Sequence, residues 1–159
     1  MKQYIGTKIV QAEPARRFWF EKGETLVVPD SEELPKKVVD ASVCDIGYMV
    51  VYPDGYKSWS PKDVFEAAYR ETSGMNFGLA IEAAKMGKKI ARAGWNGKNQ
   101  YVELGHDFSY TAPGDIPVRP VQHLDIGSEA LVFVGTRGRQ VGWLASQADM
   151  LADDWQIVE

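Results

Sequence analysis

Two tryptophans stand beside hydrogen-bonding side chains, a combination that suits a flat, polar-edged ligand. Trp95 lies in the segment ARAGWNGK at 91–98, and Trp143 lies in the segment GWLASQAD at 142–149. An indole face can stack on a purine base while nearby polar groups read the base edge or bind phosphates. The residues that we predict to bind such a ligand are Arg92, Trp95, Asn96, Trp143, Ser146, Gln147 and Asp149.

Each of these residues also has a purely structural interpretation. Tryptophan in a small domain packs in a core more often than it binds a ligand, and Trp155, which alternates with Ile157, is predicted to do so. Trp95 precedes the turn-forming pair Asn96–Gly97. We therefore expect the Trp95 ring at a turn tip, not buried by its own domain and free to meet a ligand or another subunit.

The start of the second segment predicts a short helix. Ser146 and Asp149 have the spacing of a capping box, which accounts for both residues without any ligand. Gln147 has no capping role and is a better candidate for reading a ligand, and free N–H groups at this helix start would suit phosphate or ribose oxygens. Arg92 and Lys98 could neutralise a diphosphate, although both also suit a solvated strand edge.

The sequence gives little support for catalysis. It has no Gly-x-Ser-x-Gly, His-Glu-x-x-His or phosphate-cradling loop. Cys44 is the single cysteine, and with His106 and His123 it shows no metal-ligand spacing. We therefore predict a binding protein with no catalytic residues, no metal and no cofactor. An enzyme that cleaves a nucleotide, or a protein-interaction module with exposed aromatic residues, remains an alternative.

Composition limits the kinds of partner. The 159 residues are 45% apolar, and the 18 basic and 22 acidic residues give a net charge of −4. A chain without a basic excess is poorly suited to nucleic-acid polymers, and no run reaches membrane-spanning length. The N-terminus has no apolar targeting segment. We expect a soluble, cytoplasmic protein.

The pattern of elements predicts the α+β class, with two small domains, each a mostly antiparallel sheet with one or two short helices. In the first domain, 1–72, we predict strands at 4–10 and 24–28, a loop at 29–36 and a hairpin of 47–52 with 56–59. A helix follows, capped by Ser60 with Asp63. The polar break at 71–74 marks the boundary.

The second domain, 75–159, is predicted to begin with a helix capped by Asn76 and ended by Gly87. Strands at 89–92 and 100–104 follow, joined by a type I′ turn at Asn96–Gly97. Residues 105–128 are predicted to form a long loop. A hairpin of 130–134 with 141–144, the short helix at Ser146 and a closing strand at 155–158 complete the domain.

Three segments in the second domain resemble a known family. The sequences MNFG (75–78), ARAGWNGK (91–98) and GWLASQADMLADDW (142–155) are closely similar to the second Thoeris anti-defence family of phages and prophages, and they occur in the same order. The resemblance covers about 85 residues, whereas the middle of the domain, near 105–128, matches little. Residues 1–70 resemble only a small phage-associated module, chiefly through GYMVVY (47–52) and DGYKSWSP (54–61).

The resemblance implies a specific activity. Members of the family sequester glycocyclic ADP-ribose signals made by bacterial TIR-domain enzymes without degrading them. Some also hold cyclic dinucleotides of the cGAS-like defence pathway. They are typically homotetramers with pockets between subunits. By this resemblance we expect a phage-encoded sponge that acts in the host cell cytoplasm, and a docking or oligomerisation role for residues 1–72.

Overall fold

The computed structural model describes residue 3 and residues 7–97, 99–118 and 129–159. The chain divides into two units, Met1–Arg70 (unit 1) and Glu71–Glu159 (unit 2). Each unit contains an antiparallel sheet and short helices, so the predicted α+β class is confirmed.

Unit 1 is built on a four-stranded antiparallel sheet with the order β2-β1-β3-β4. Its elements are β1 (Gln11–Trp19), β2 (Thr25–Pro29), a 3-10 helix (Lys36–Asp40), β3 (Val43–Val51), β4 (Lys57–Pro61) and α1 (Lys62–Ala68). The predicted hairpin is confirmed, and Gly55 at its tip has a positive φ of 84°, a conformation that glycine adopts without strain.

Two predictions for unit 1 are wrong. Residues 7–10 are not a strand, and residues 4–6 lie outside the described part; the strand begins at Gln11 because residues 11–19 pair along their whole length with β3. Ser60 does not cap α1, whose N-cap is Pro61 without a side-chain hydrogen bond. Ser60 belongs instead to β4, where it pairs with Tyr48.

Unit 2 contains a five-stranded antiparallel sheet with the order β10-β9-β6-β5-β11. Its elements are α2 (Phe77–Lys85), β5 (Lys89–Arg92), β6 (Tyr101–His106), β7 (Tyr110–Ala112), β8 (Ile116–Val118), β9 (Glu129–Gly135), β10 (Gly138–Val141), α3 (Gln147–Met150) and β11 (Trp155–Val158). The strands β7 and β8 pair with each other as a separate two-stranded sheet.

Helix α2 closes one side of the core of unit 2. The Asn76 side chain accepts a hydrogen bond from the Leu79 N–H (2.9 Å), and Gly87 follows the helix with a φ of 79°, so both predicted helix ends are confirmed. Small side chains on one face of α2 let it approach β5, β6 and β11. The buried residues of this core are Met75, Ala80, Ala83, Ala84, Ile90, Val102 and Trp155.

Three local predictions for unit 2 are wrong. The stretch 105–128 is not one long loop, because β6 continues to His106 and residues 110–118 form the β7–β8 hairpin; residues 119–128 lie outside the described part. Asn96 and Gly97 have no positive φ, so they do not form a type I′ turn. The partner of β9 is Gly138–Val141 instead of 141–144, since Gly142, with a φ of 78°, ends the strand.

Candidate functional site

Trp95 packs against its own unit, contrary to the expectation of a free ring at a turn tip. The side chain is half-buried, and its ring makes edge-to-face contacts with Trp155 (5.4 Å between centroids), Phe133 (5.5 Å) and Trp143 (6.0 Å). Edge-to-face geometry is a favourable arrangement of aromatic rings. We call Trp95, Phe133, Trp143 and Trp155 the aromatic cluster; it lies on the core of unit 2.

The geometry of the cluster restricts how a flat ligand could bind. The rings of Trp95 and Trp143 are inclined by 76°. A base inserted between two rings needs nearly parallel faces, so these two cannot sandwich a base within one unit. Both side chains are partly exposed, whereas Trp155 is fully buried. A base can therefore stack on one of the two half-buried rings while its other face meets a different surface.

Asp149 connects this cluster to the start of α3. Its Oδ2 accepts hydrogen bonds from the N–H (3.1 Å) and hydroxyl (2.6 Å) of Ser146, and its own N–H donates to Ser146 Oγ (3.1 Å). The predicted capping box is thus confirmed. Asp149 Oδ1 also accepts a hydrogen bond from Trp95 Nε1 (3.2 Å). The carboxylate therefore does more than cap a helix, since it also holds the indole of Trp95.

Arg92 joins the same network from the end of β5. Its Nη1 donates to Asp149 Oδ1 (3.1 Å) and to the carbonyl oxygen of Ala148 (3.2 Å), and its Nε donates to Asp154 Oδ1 (2.7 Å). The side chains of Arg92 and Asp149 are only 20% and 15% exposed. Two carboxylates thus offset the charge of Arg92, so this residue is better placed to fix the site than to supply a free positive charge.

The hydrogen bonds shift the ionisation of all three groups. Burial opposes ionisation of Asp149, but hydrogen bonds from Ser146, Trp95 and Arg92 outweigh it and hold the pKa of the carboxyl below its ordinary value. The hydrogen bond from Arg92 lowers the pKa of Asp154. Hydrogen bonds to Asp154 and Asp149 raise the pKa of Arg92. At neutral pH the three groups are therefore charged.

The structure places most of the predicted residues in one region. Arg92, Trp95, Ser146 and Asp149 share one hydrogen-bond network, and Trp143 joins it through ring contact with Trp95. The remaining two residues, Asn96 and Gln147, are exposed and follow Trp95 and Ser146 directly in sequence. Lys98 lies outside the described residues.

Sequence reasoning missed two members of this region. Phe133 of β9 contributes a ring to the aromatic cluster. Asp154 binds Arg92 and accepts a second hydrogen bond, from the Gly94 N–H to its Oδ2 (2.9 Å). The signal for Asp154 was present in the Ala-Asp-Asp-Trp segment at 152–155, where an acidic residue immediately precedes a core tryptophan.

Exposed apolar side chains flank the aromatic cluster in sequence. Leu144 follows Trp143 and is 88% exposed, and Leu151 follows α3 and is 78% exposed. Such side chains are available to a partner, since exposed apolar groups mark interaction surfaces where they form a contiguous patch.

Some kinds of site are not present in the part of the chain that the structure describes. Across residues 7–97, 99–118 and 129–159, no group of three or more His, Cys, Asp or Glu side chains could hold a metal ion. No helix among these residues is long and apolar enough to cross a membrane.

Comparison with known proteins places unit 2 in a family. A family model described as the Thoeris anti-defense 2-like domain (Tad2-like) matches residues 75–158. The chain belongs to the Tad2-like family. It is 36% identical over 91 residues to a protein named Thoeris anti-defense 2 from Bacillus phage SP01; the matched part is 53% of the chain and 94% of that relative. The resemblance seen in the sequence motifs is thus confirmed, and membership supports a phage anti-defence role.

Proposed function

We propose that the protein is a phage anti-defence sponge that acts in the host cytoplasm. It binds cyclic nucleotide signals of the glycocyclic ADP-ribose class, and cyclic dinucleotides as a second class, and withholds them from Thoeris-type and cGAS-like defence without degrading them. The observation that carries this proposal is the aromatic cluster joined to the Arg92–Asp149 network in a domain of the Tad2-like family. Its likeness to a protein named for anti-defence supports the same role.

The chemistry of the region favours binding over turnover. A general acid needs a pKa near the working pH, but the pKa values of Asp149 and Asp154 are both lowered. Their oxygens are also engaged by Ser146, Trp95, Arg92 and Gly94. A sponge requires high affinity but no turnover, so such groups can contribute to binding of the unreacted ligand. The ligand contacts that we propose are Arg92, Trp95, Asn96, Trp143, Ser146, Gln147 and Asp149.

The proposal predicts that bound signal is recovered unchanged. The full-length protein is incubated with a glycocyclic ADP-ribose, separated from free nucleotide and then heat-denatured, and the released material is identified by mass spectrometry and chromatography. We expect the original isomer in stoichiometric amount. Protein that is denatured before the incubation is the control for nucleotide that is retained without specific binding. Release of an altered nucleotide would favour an enzyme, and the absence of retained nucleotide across a panel of cyclic nucleotides would favour an interaction module.

We further propose that the protein is a homotetramer with ligand held between subunits. A single unit 2 offers inclined tryptophan rings instead of two parallel walls, so a second subunit can supply the opposite wall. The exposed side chains of Leu144 and Leu151 provide apolar surface for such an interface. Light scattering coupled to size exclusion is expected to give about four times the chain mass of 17.7 kDa. A mass of one chain at micromolar concentration would contradict the proposal.

For unit 1 we propose an accessory role in docking or oligomerisation. A cleft of about 510 Å³ lies at the tip of the β3–β4 hairpin, lined by Lys8, Tyr52, Pro53, Asp54 and Tyr56. The Lys8 ammonium sits 4.3 Å from the centre of the Tyr52 ring, and Tyr56 is 65% exposed. Tyrosine is enriched in protein-binding surfaces, which supports this role.

A further inference from the structure

We infer that Asp154 is a positioning residue for the Trp95 site, acting through Arg92 and the backbone of Gly94; its effect on ligand affinity rests on the proposed function. Asp154 makes no hydrogen bond to the Trp95 side chain, whose Nε1 donates to Asp149. Its two oxygens instead reach the two chain positions that determine where that side chain lies. Oδ1 accepts from Arg92 Nε (2.7 Å), and Oδ2 accepts from the Gly94 N–H (2.9 Å).

The first route runs through the guanidinium. Arg92 uses Nε for Asp154 and Nη1 for Asp149, so the planar group is fixed at both sides. Asp149 Oδ1 in turn accepts from Trp95 Nε1 (3.2 Å). If Arg92 is released from Asp154, its guanidinium can rotate. Because Arg92 also donates to Asp149, this rotation would shift the carboxylate that accepts the hydrogen bond from the Trp95 indole.

The second route runs through the backbone before Trp95. The Ala93 N–H donates to the Asp154 carbonyl oxygen (3.0 Å), and the Gly94 N–H donates to Asp154 Oδ2. One residue thus holds two consecutive N–H groups of the segment that leads from β5 to Trp95. A side chain at position 94 would place its Cβ 3.1 Å from Asp154 Oδ2, which is tighter than an ordinary contact, so Gly94 suits this close approach.

The neighbouring residue Asp153 provides a matched control. It carries the same carboxylate one position earlier but is exposed, whereas the Asp154 side chain is 36% exposed and bonded to Arg92. In Asp154→Asn, an amide NH₂ group would replace one of the two carboxylate oxygens. It would then face either Arg92 Nε or the Gly94 N–H, and because both of these are donors, one of the two hydrogen bonds could not form. The substitution therefore breaks one connection with almost no change in volume, and Asp153→Asn breaks none of them.

The first measurement requires no ligand. In ¹H–¹⁵N spectra of the full-length protein, the indole N–H signal of Trp95 is assigned by its loss in Trp95→Phe. We expect Asp154→Asn to move this signal and to speed its hydrogen exchange, whereas Asp153→Asn leaves both unchanged. A residue that only stabilised the fold would lower the melting temperature but leave the indole signal of the folded molecules in place. An unmoved Trp95 signal in folded Asp154→Asn would overturn the inference.

The second measurement tests the consequence for binding. Calorimetry with a glycocyclic ADP-ribose is expected to show about tenfold weaker binding for Asp154→Asn, the lower end of the effect seen when a residue that orients a metal ligand is changed. Asp153→Asn should bind like the parent. A moved indole signal with unchanged affinity would overturn the link to binding. If the parent itself fails to bind the nucleotide, the proposed function fails, and the indole signal alone decides whether Asp154 positions Trp95.

Discussion

Trp155→Ala is expected to lower the free energy of unfolding of unit 2 by roughly 3–5 kcal/mol, the usual range for removal of a fully buried tryptophan. The Trp155 side chain is 0% exposed and is the largest fully buried one in the described chain. Its ring contacts Phe77, Trp95 and Trp143 at centroid distances of 5.4, 5.4 and 6.3 Å. Truncation would leave a cavity that these rigid rings cannot fill without changing their packing.

Denaturant unfolding followed by circular dichroism measures the effect of Trp155→Ala, with the transition of unit 2 separated from that of unit 1 where the two do not coincide. Ile116→Ala is the matched control, because it also removes a large apolar side chain from unit 2, but one that is 58% exposed and lies outside the proposed interface. We expect it to change the free energy of unfolding by less than about 0.5 kcal/mol. A loss below about 1 kcal/mol for Trp155→Ala would show that Trp155 is not a core residue of unit 2.

Trp155→Phe separates packing from hydrogen bonding. Trp155 Nε1 donates to the carbonyl oxygen of Asp149 (2.9 Å), so the core tryptophan also anchors α3 beneath the proposed site. Phenylalanine keeps most of the ring volume but cannot make this bond. We therefore expect a smaller loss of stability than in Trp155→Ala, because one hydrogen bond to the Asp149 carbonyl oxygen is lost while most of the packing remains.

Local signals predicted the elements whose ends are determined by their own residues. The Asn76 cap with Gly87 predicted α2, and the spacing of Ser146 and Asp149 predicted α3, because each signal is a hydrogen bond or backbone conformation within a few residues. The alternation of Trp155 and Ile157 likewise predicted a strand with one buried face. For the two helices the energetics are local, so the sequence is sufficient; for the strand, the alternation itself records which face the sheet buries.

The conformation around Trp95 could not be read locally. Asn96–Gly97 is a strong turn signal, yet the connection between β5 and β6 runs from 93 to 100. The reason is that Asp154 binds the Ala93 and Gly94 N–H groups from about sixty positions away in sequence. This long-range contact holds the backbone immediately before the turn residues, in a position from which Trp95 packs against the other rings of the aromatic cluster.

The β7–β8 hairpin was missed for a different reason. Residues 110–112 and 116–118 pair around a turn in which Gly114 and Asp115 have φ values of 88° and 58°. Pro-Gly is itself a turn signal, so the segment could have been predicted as a hairpin instead of a loop. Its strands have only three residues each, too few for alternation to be distinct from chance.

Trp95→Ala is expected to weaken binding of a glycocyclic ADP-ribose by about fivefold to 150-fold, which corresponds to a stacking contribution of roughly 1–3 kcal/mol. The structure adds a second effect. Because the ring packs on Trp155, Phe133 and Trp143, the substitution should also lower the free energy of unfolding. No such loss would be expected if the ring stood free at a turn tip. Affinity must therefore be measured by calorimetry well below the melting temperature of the variant.

Trp95→Phe distinguishes a ligand platform from a residue that only packs. Phenylalanine retains an aromatic face but loses the Nε1 donor to Asp149, so we expect intermediate affinity and a smaller loss of stability than in Trp95→Ala. Tyr110→Ala, which removes an exposed aromatic side chain outside the proposed site, is the control and should bind like the parent. If Trp95→Ala melts earlier but its folded molecules bind with parental affinity, then Trp95 serves the core alone, and the stacking surface must be Trp143.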